Sequence, residues 1–267
     1  MRRTSVLSWT VNIPLIRSSP DTFLVGTRMF HFSALTVSVC CPADPGPYTT
    51  VFINNEKLGL ELGAWTLEQL EQLIVEHKPT AMMIPYHYTV RLCHQSQDLH
   101  NMKSVKVIVP AGARVGELIE KDLKSKIPGV FLSNVYGSIE TGGAVAGSLT
   151  QANVGFLYPN NRVKVRDLDT GRACGPGEIG EICVYNDKLL LGYLGRDNKD
   201  VFDSDGFYRM GDVGKYDKDG CLHFIDRVKD LMDVDGHKFY PIIVESVLDS
   251  HEEVLQVSGD FRCLSEP

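Results

Sequence analysis

The chain has 267 residues, 43% hydrophobic and 23% charged, which excludes a collagen-like, low-complexity or wholly disordered polypeptide. Its net charge of −7 is concentrated in residues 197–253, where 15 acids face 7 bases; a nucleic-acid partner calls for the reverse balance. The longest charge-free stretch near the start, Met29–Ala43, includes His31, Ser33, Thr36 and Ser38. It falls short of the roughly 20 apolar residues of a transmembrane helix, so no transmembrane segment is expected.

Seven cysteines without a CxxC pair read as reduced thiols in an intracellular compartment, and no metal-ligand spacing joins them to histidines. The first twenty residues carry three arginines and no acid, but Asn12, Pro14 and Arg17 spoil the pattern of a targeting peptide. Residues 1–25 are therefore read as an irregular N-terminus.

After the turn-rich Cys41–Pro47, regular alternation is predicted. Thr49–Asn54 reads as a strand. Trp65–His77 reads as a helix, with Thr66 and Gln69 spaced as a capping box and Leu67, Leu70, Leu73 and Ile74 on one face. Pro79 ends it. Thr80–Ile84 is a short buried strand, Tyr86–Ser96 a helix, Val105–Val109 a strand, Val115–Lys126 a helix and Gly129–Val135 a strand. Strand–helix–strand at this spacing means a parallel, doubly wound α/β sheet with helices on both faces. Such sheets take ligands beyond the carboxyl ends of their strands.

From about Gly155 the pattern changes. Arg162–Asp167, Glu178–Tyr185 and Cys221–Asp226 read as strands separated by Gly/Asp turns, a mostly antiparallel β region. Pro241–Ser250 then reads as a helix with proline at its start, opening a small α+β domain.

Two loops invite a ligand. After Val109 comes Pro110-Ala-Gly-Ala-Arg114, where Gly112 lets backbone approach a flat group. After Val135 comes Tyr136-Gly-Ser-Ile-Glu-Thr-Gly-Gly143, with an aromatic face and one carboxylate. If the two strands are neighbours, Gly112-Ala113 and Tyr136 can sandwich a purine, and Glu140 can hold Mg2+, which favours carboxylates plus substrate phosphates. Ordinary turns with a packing tyrosine are the alternative. Asp212, directly after a glycine, suits two ribose hydroxyls, whereas Arg227 and Lys229 read equally well as surface ion pairs.

Taken in order, these motifs are informative. Gly112-Ala-Arg114, Tyr136-Gly-Ser-Ile-Glu-Thr141, Gly180-Glu-Ile-Cys-Val184, Leu191-Gly-Tyr193, Gly206-Phe-Tyr-Arg-Met-Gly-Asp212, Asp226-Arg-Val-Lys-Asp230 and Gly236-His-Lys-Phe-Tyr-Pro241 form a series. From about Phe30 to Val257 the chain resembles the adenylate-forming enzymes: acyl-CoA synthetases, 4-coumarate–CoA ligases and firefly luciferase. The resemblance implies ATP-dependent activation of a carboxylic acid to an acyl-adenylate, then transfer to CoA, with ATP/AMP and Mg2+. A luciferase-like monooxygenase and a non-catalytic module binding AMP or a partner are the rivals.

The resemblance also implies roles. Gly112, Ala113, Arg114, Tyr136 and Gly137 would line the nucleotide, Glu140 would serve Mg2+, Asp212 the ribose, and Arg227 would lie beside it. Lys229 would mark the hinge, and Glu140, Arg227 and Lys229 would carry the catalysis. His31 and Ser33, in the Phe30–Leu35 segment, would flank the acid.

The implied layout is a partial large domain over 26–228 (about 29–150 α/β, about 151–228 β), then a hinge and truncated C-terminal domain over 229–267. Three departures predict crippled turnover: no phosphate loop upstream of Phe30, no late lysine after Pro241, and Ile139 where the family keeps threonine. Cytoplasm or peroxisome is expected ahead of mitochondrion, although the chain does not end in Ser-Lys-Leu.

Overall fold

The computed structural model describes residues 21–26, 48–52, 66–95, 99–112, 117–148, 154–195, 197–234 and 237–249. The chain divides into two compact units, one of residues 1–135 with 148–152, the other of 136–147 with 153–267.

The first unit is a five-stranded sheet of β1 (Asp21–Val25), β2 (Tyr48–Phe52), β3 (Ala81–Pro85), β4 (Val107–Ala111) and β5 (Phe131–Leu132), in the order 2-1-3-4-5. Every pairing is parallel. This order reverses direction once, between β1 and β3, the signature of a doubly wound sheet. Three helices connect the strands: α1 (Leu67–His77), α2 (Tyr86–Gln95) and α3 (Glu117–Lys126).

The strands' alternation sorts their side chains onto two faces. Leu24, Met82, Ile84, Ile108 and Leu132 pack with Leu70 and Ile74 of α1, Tyr88 and Leu92 of α2, and Leu123 of α3. Ala81, Val107 and Val109 form a second buried cluster on the opposite face, with Phe23, Met83 and Phe131. Among the described residues, all three helices pack on the first of these faces.

The capping box is present: Gln69 N–H donates to Thr66 Oγ1 (3.3 Å) and Thr66 N–H to Gln69 Oε1 (2.8 Å). Lys78, in the left-handed region, closes α1 before Pro79.

Two expectations are corrected here. Residues 21–25, inside the supposedly irregular N-terminus, form β1 at the heart of the sheet. The Gly129–Val135 strand is really two. β5 pairs with β4, then β6 (Asn134–Ser138) joins a different sheet with β7 (Gly143–Ser148) and β8 (Phe156–Leu157). Tyr136 and Gly137 consequently lie in a strand, because their backbone groups pair within this second sheet.

The second unit also carries an antiparallel sheet of β9 (Arg162–Arg166), β10 (Gly180–Tyr185), β11 (Tyr208–Tyr216) and β12 (Leu222–Arg227), in the order 12-11-10-9. Its core gathers Val145, Ala146, Ile182, Val184, Tyr208, Met210 and Leu222, with Tyr136 and Phe224 packed against them. A short hairpin, β13 (Met232–Val234) with β14 (His237–Phe239), precedes α4 (Pro241–Asp249). Among the described residues, no helix is long and apolar enough to cross a membrane.

Candidate nucleotide site

Within the second unit, β11 and β12 bring two distant charges face to face. Asp212 is the cross-strand partner of Arg227. It sits in an irregularity of β11: Glu181 pairs with Val213 but Cys183 with Arg209, so β11 holds two extra residues there. Gly211 absorbs the distortion with φ +67°, a conformation that costs any residue with a Cβ. The bulge leaves Asp212 only 3% exposed.

A buried carboxylate needs partners. Asp212 Oδ2 accepts a 2.7 Å hydrogen bond from Tyr136 Oη, 76 residues away in sequence. Oδ1 has Arg227 Nη1 at 2.8 Å, an ion-pair contact without the alignment of a good hydrogen bond. Burial pushes the Asp212 carboxyl above its ordinary value, despite the opposing pull of Tyr136 and Arg227. Burial and the neighbouring Asp212 charge also push the Tyr136 phenol well up, so it remains a proton donor. The Tyr136 ring lies tilted against Phe224, centroids 6.4 Å apart.

Beside this trio, the Ser138–Thr141 turn holds Glu140. Ser138 N–H donates to Thr141 Oγ1 (2.9 Å), and Thr141 Oγ1 donates to the carbonyl of Gly143 (2.8 Å). Leu190 N–H donates to the Glu140 carbonyl (2.8 Å), and Asn186 Nδ2 to that of Thr141 (3.1 Å), tying the turn to the following loop. Glu140 Oε1 accepts from Tyr193 Oη at 2.7 Å, and Tyr193 Oη lies 3.3 Å from Tyr208 Oη. Burial alone would raise the Glu140 carboxyl. Hydrogen bonds from Tyr193, backbone and Ser138, with the Arg227 charge, outweigh it and hold the group below its ordinary value.

Gly137 is required by packing. A Cβ there would stand 2.0 Å from the Gly143 carbonyl oxygen, so only glycine lets β6 lie this close to β7. Ile139 is 67% exposed at the tip of the turn.

The structure therefore brings Tyr136, Asp212 and Arg227 into contact, with Glu140 within electrostatic reach of Arg227. Lys229 follows, exposed, in the 3-10 turn Val228–Asp230. Gly112 stands exposed at the end of β4 in the first unit. Ala113, Arg114, His31 and Ser33 lie outside the described residues, as does the Phe30–Leu35 segment. Tyr193 and Tyr208 are the site residues that sequence reasoning missed. The Leu191-Gly-Tyr193 motif marked the place of one of them without suggesting its phenol's role.

The second unit thus holds Tyr136, Asp212 and Arg227 in contact beside Glu140. The comparisons identify the family. The family profile described as AMP-binding enzyme matches residues 4–194, more than half the chain, and the chain belongs to that family. 4-Coumarate–CoA ligase 1 of Glycine max is 31% identical over 202 residues, covering 70% of this chain and 68% of that protein. 4-Coumarate–CoA ligase 1 of Arabidopsis thaliana is 27% identical, covering 90% of this chain and 43% of that protein.

Among solved structures, O-succinylbenzoate coenzyme A synthetase from Bacillus subtilis in complex with AMP shares the fold. Its TM-score is 0.73 at 24% identity, over 90% of this chain and 48% of that one. The luciferase-like enzyme of the nonluminescent mealworm Zophobas morio has a TM-score of 0.66 at 24% identity, over 77% and 49%. The chain thus spans less than half the length of most of these relatives.

Proposed function

We propose that this chain supplies the nucleotide-holding part of an acid–thiol ligase, acting on ATP, a carboxylic acid and CoA. The observation that supports this reading best is the buried Asp212 carboxylate, held between Tyr136 Oη and Arg227 with Glu140 on the adjoining turn. A carboxylate has about four lone-pair sites; Tyr136 fills one, and Arg227 meets Oδ1 as an ion pair without a well-aligned hydrogen bond, which leaves sites for the vicinal hydroxyls of a ribose. The Tyr136 ring offers adenine an apolar face.

In the first step an oxygen of the acid attacks the α-phosphorus of ATP. The bond from that phosphorus to the bridging oxygen breaks, and pyrophosphate leaves with the electron pair. Arg227, half exposed, directs guanidinium N–H groups at the charge that develops on phosphate oxygen. Glu140 is ionised and half-buried, which fits a carboxylate that shares Mg2+ with substrate phosphates. When bound, Mg2+ supplies further neutralisation of those oxygens. The Bacillus subtilis synthetase has been solved with ATP and magnesium ion, a precedent for this pairing.

The CoA sulfur then bonds to the acyl carbon as its S–H proton passes to solvent, and the bond from that carbon to the adenylate oxygen breaks, releasing AMP with the electron pair. Lys229 serves as the hinge between a large domain over 26–228 and a small one from 229 onward. The resemblance assigns His31 and Ser33 to the acid.

Ile139 favours a second reading, a nucleotide-binding module without turnover. Its exposed side chain has no hydroxyl to offer the adenylate phosphate. Pyrophosphate release from ATP and Mg2+ with medium-chain, long-chain and hydroxycinnamic acids, run beside an AMP titration, separates the two. Acid-dependent release supports the ligase. AMP binding without release supports the module, and neither result leaves no basis for a nucleotide site.

A further inference from the structure

We propose that Asp217, Cys221 and His223 form a binding site for a borderline divalent cation, Zn2+ in the first instance, at the turn joining β11 to β12. The site lies outside the nucleotide cluster. His223 and Arg227 are four residues apart on β12, about 13 Å at roughly 3.3 Å per residue.

Along the sequence, one carboxylate, one thiol and one imidazole spaced D-x3-C-x-H give no familiar metal signature. The turn makes them one. Asp217 closes β11, and the chain reverses through Gly220, whose N–H donates to the Asp217 carbonyl (3.1 Å). Cys221 and His223 are two residues apart as the chain enters β12, so their side chains share a face. A carboxylate oxygen, a sulfur and an imidazole nitrogen then lie within 4.8 Å of one another. Tetrahedral zinc, with bonds of about 2.0–2.3 Å, sets its ligand atoms roughly 3.3–3.8 Å apart. Side-chain rotations that move a ligand atom by about 1–1.5 Å close the widest gap the cluster allows.

The turn also fixes the ligands in advance. Asp217 Oδ1 accepts from the N–H groups of Asp219 (3.0 Å) and Cys221 (2.9 Å), and Asp217 N–H donates to the Cys221 carbonyl (3.0 Å). With one oxygen committed to backbone, Oδ2 is aimed at His223 Nε2, 2.9 Å away. The thiol of Cys221 is buried, whereas Asp217 and His223 are partly open, so an ion enters from their side.

The donor set selects the metal. Mg2+ and Ca2+ take oxygen ligands, while a mixed sulfur, nitrogen and oxygen set suits zinc and its neighbours. Three protein ligands leave the fourth position to water. On binding, the Cys221 S–H bond breaks, the sulfur keeps the electron pair as a metal ligand, and the proton passes to solvent. The bland alternative is that Asp217 and His223 only pin the hairpin.

Cobalt is the probe. The full chain, stripped with chelator, is titrated with Co2+ and followed by absorption, then back-titrated with Zn2+. The expected result is one equivalent bound, a thiolate-to-cobalt charge-transfer band, visible bands of tetrahedral intensity, and loss of both when Zn2+ is added. Cys221→Ser should abolish the charge-transfer band, while Cys93→Ser retains it. Asp217→Asn and His223→Gln should each weaken Zn2+ binding by at least about tenfold, since even outer-shell changes cost 10–100-fold.

The partly exposed His223 makes His223→Gln the arm that still decides if Cys221→Ser fails to fold. Any one of three results would overturn the site: no sulfur band in the unmodified chain, a band that persists in Cys221→Ser, or Zn2+ affinity unchanged in His223→Gln and Asp217→Asn.

Discussion

Replacing Asp212 with asparagine should separate binding from stability. Asp212 is buried and its carboxyl is pushed above the ordinary range by that burial. A folded-state value above the unfolded one means that the folded protein holds the proton more readily. Ionised Asp212 therefore costs stability above its folded pKa, and the cost disappears as pH falls below the unfolded value.

At neutral pH the amide removes that cost. It loses an ion pair with Arg227, whose side chain is 49% exposed, an interaction of about 0–1 kcal/mol after solvent screening. It also turns its amino group toward Tyr136, which must then accept. The net stability change should lie within about 1 kcal/mol.

Nucleotide binding should suffer more. Hydrogen bonds to a charged acceptor contribute about 1.5–3 kcal/mol against about 0.5–1.5 for a neutral one. Two ribose hydroxyls thus lose about 2 kcal/mol together, roughly 30-fold in Kd. Calorimetric titration with AMP, paired with urea unfolding, reads both quantities.

Repeating the titration with adenosine, which has no phosphate to titrate, isolates the carboxylate. Affinity should fall as pH drops through the raised pKa, and Asp212→Asn should flatten that profile. Unchanged AMP affinity would refute the ribose role. A stability loss near 3 kcal/mol would show that Asp212 and Arg227 are a structural pair.

Gly137→Ala should destabilise the second unit by about 3 kcal/mol or more, because its Cβ would stand 2.0 Å from a backbone oxygen that cannot swing aside; urea unfolding checks this. Tyr193→Phe should raise the Glu140 carboxyl toward its ordinary value, since the phenol's hydrogen bond helps hold it down, and NMR titration of the glutamate carboxyl carbons would follow it. Ile139→Thr, at an exposed position, should leave stability within about 0.5 kcal/mol. Any acid-dependent pyrophosphate release it gains then reports phosphate contact alone.

The first unit was largely legible because its signals are local. Thr66 and Gln69 spell a capping box three residues apart, and the α1 stripe that includes Leu70 and Ile74 is visible at helical spacing. β1 was not legible: five residues follow an arginine-rich stretch, and the sheet order that makes them an interior strand depends on partners 58 residues away, such as Ala81 opposite Phe23. β11 was missed because Gly211 and Gly214 interrupt its alternation. Gly211 accommodates the bulge that buries Asp212, while Gly214 lets the backbone of His223 approach.

The candidate site was legible as a list of residues, through the order of its motifs. Its bonding was not. That Tyr136 donates to Asp212 is a fact about two strands meeting, and that Tyr193 restrains Glu140 depends on a loop folding back. Asp217, Cys221 and His223 show the same limit, since their spacing has meaning only once the turn is closed.

A crystal structure of the full chain soaked with AMP tests the nucleotide assignment most directly. Both ribose hydroxyls should lie within hydrogen-bond distance of the Asp212 carboxylate, with adenine against the Tyr136 ring. AMP seated elsewhere, with Asp212 still enclosed by Tyr136 and Arg227 alone, would contradict it.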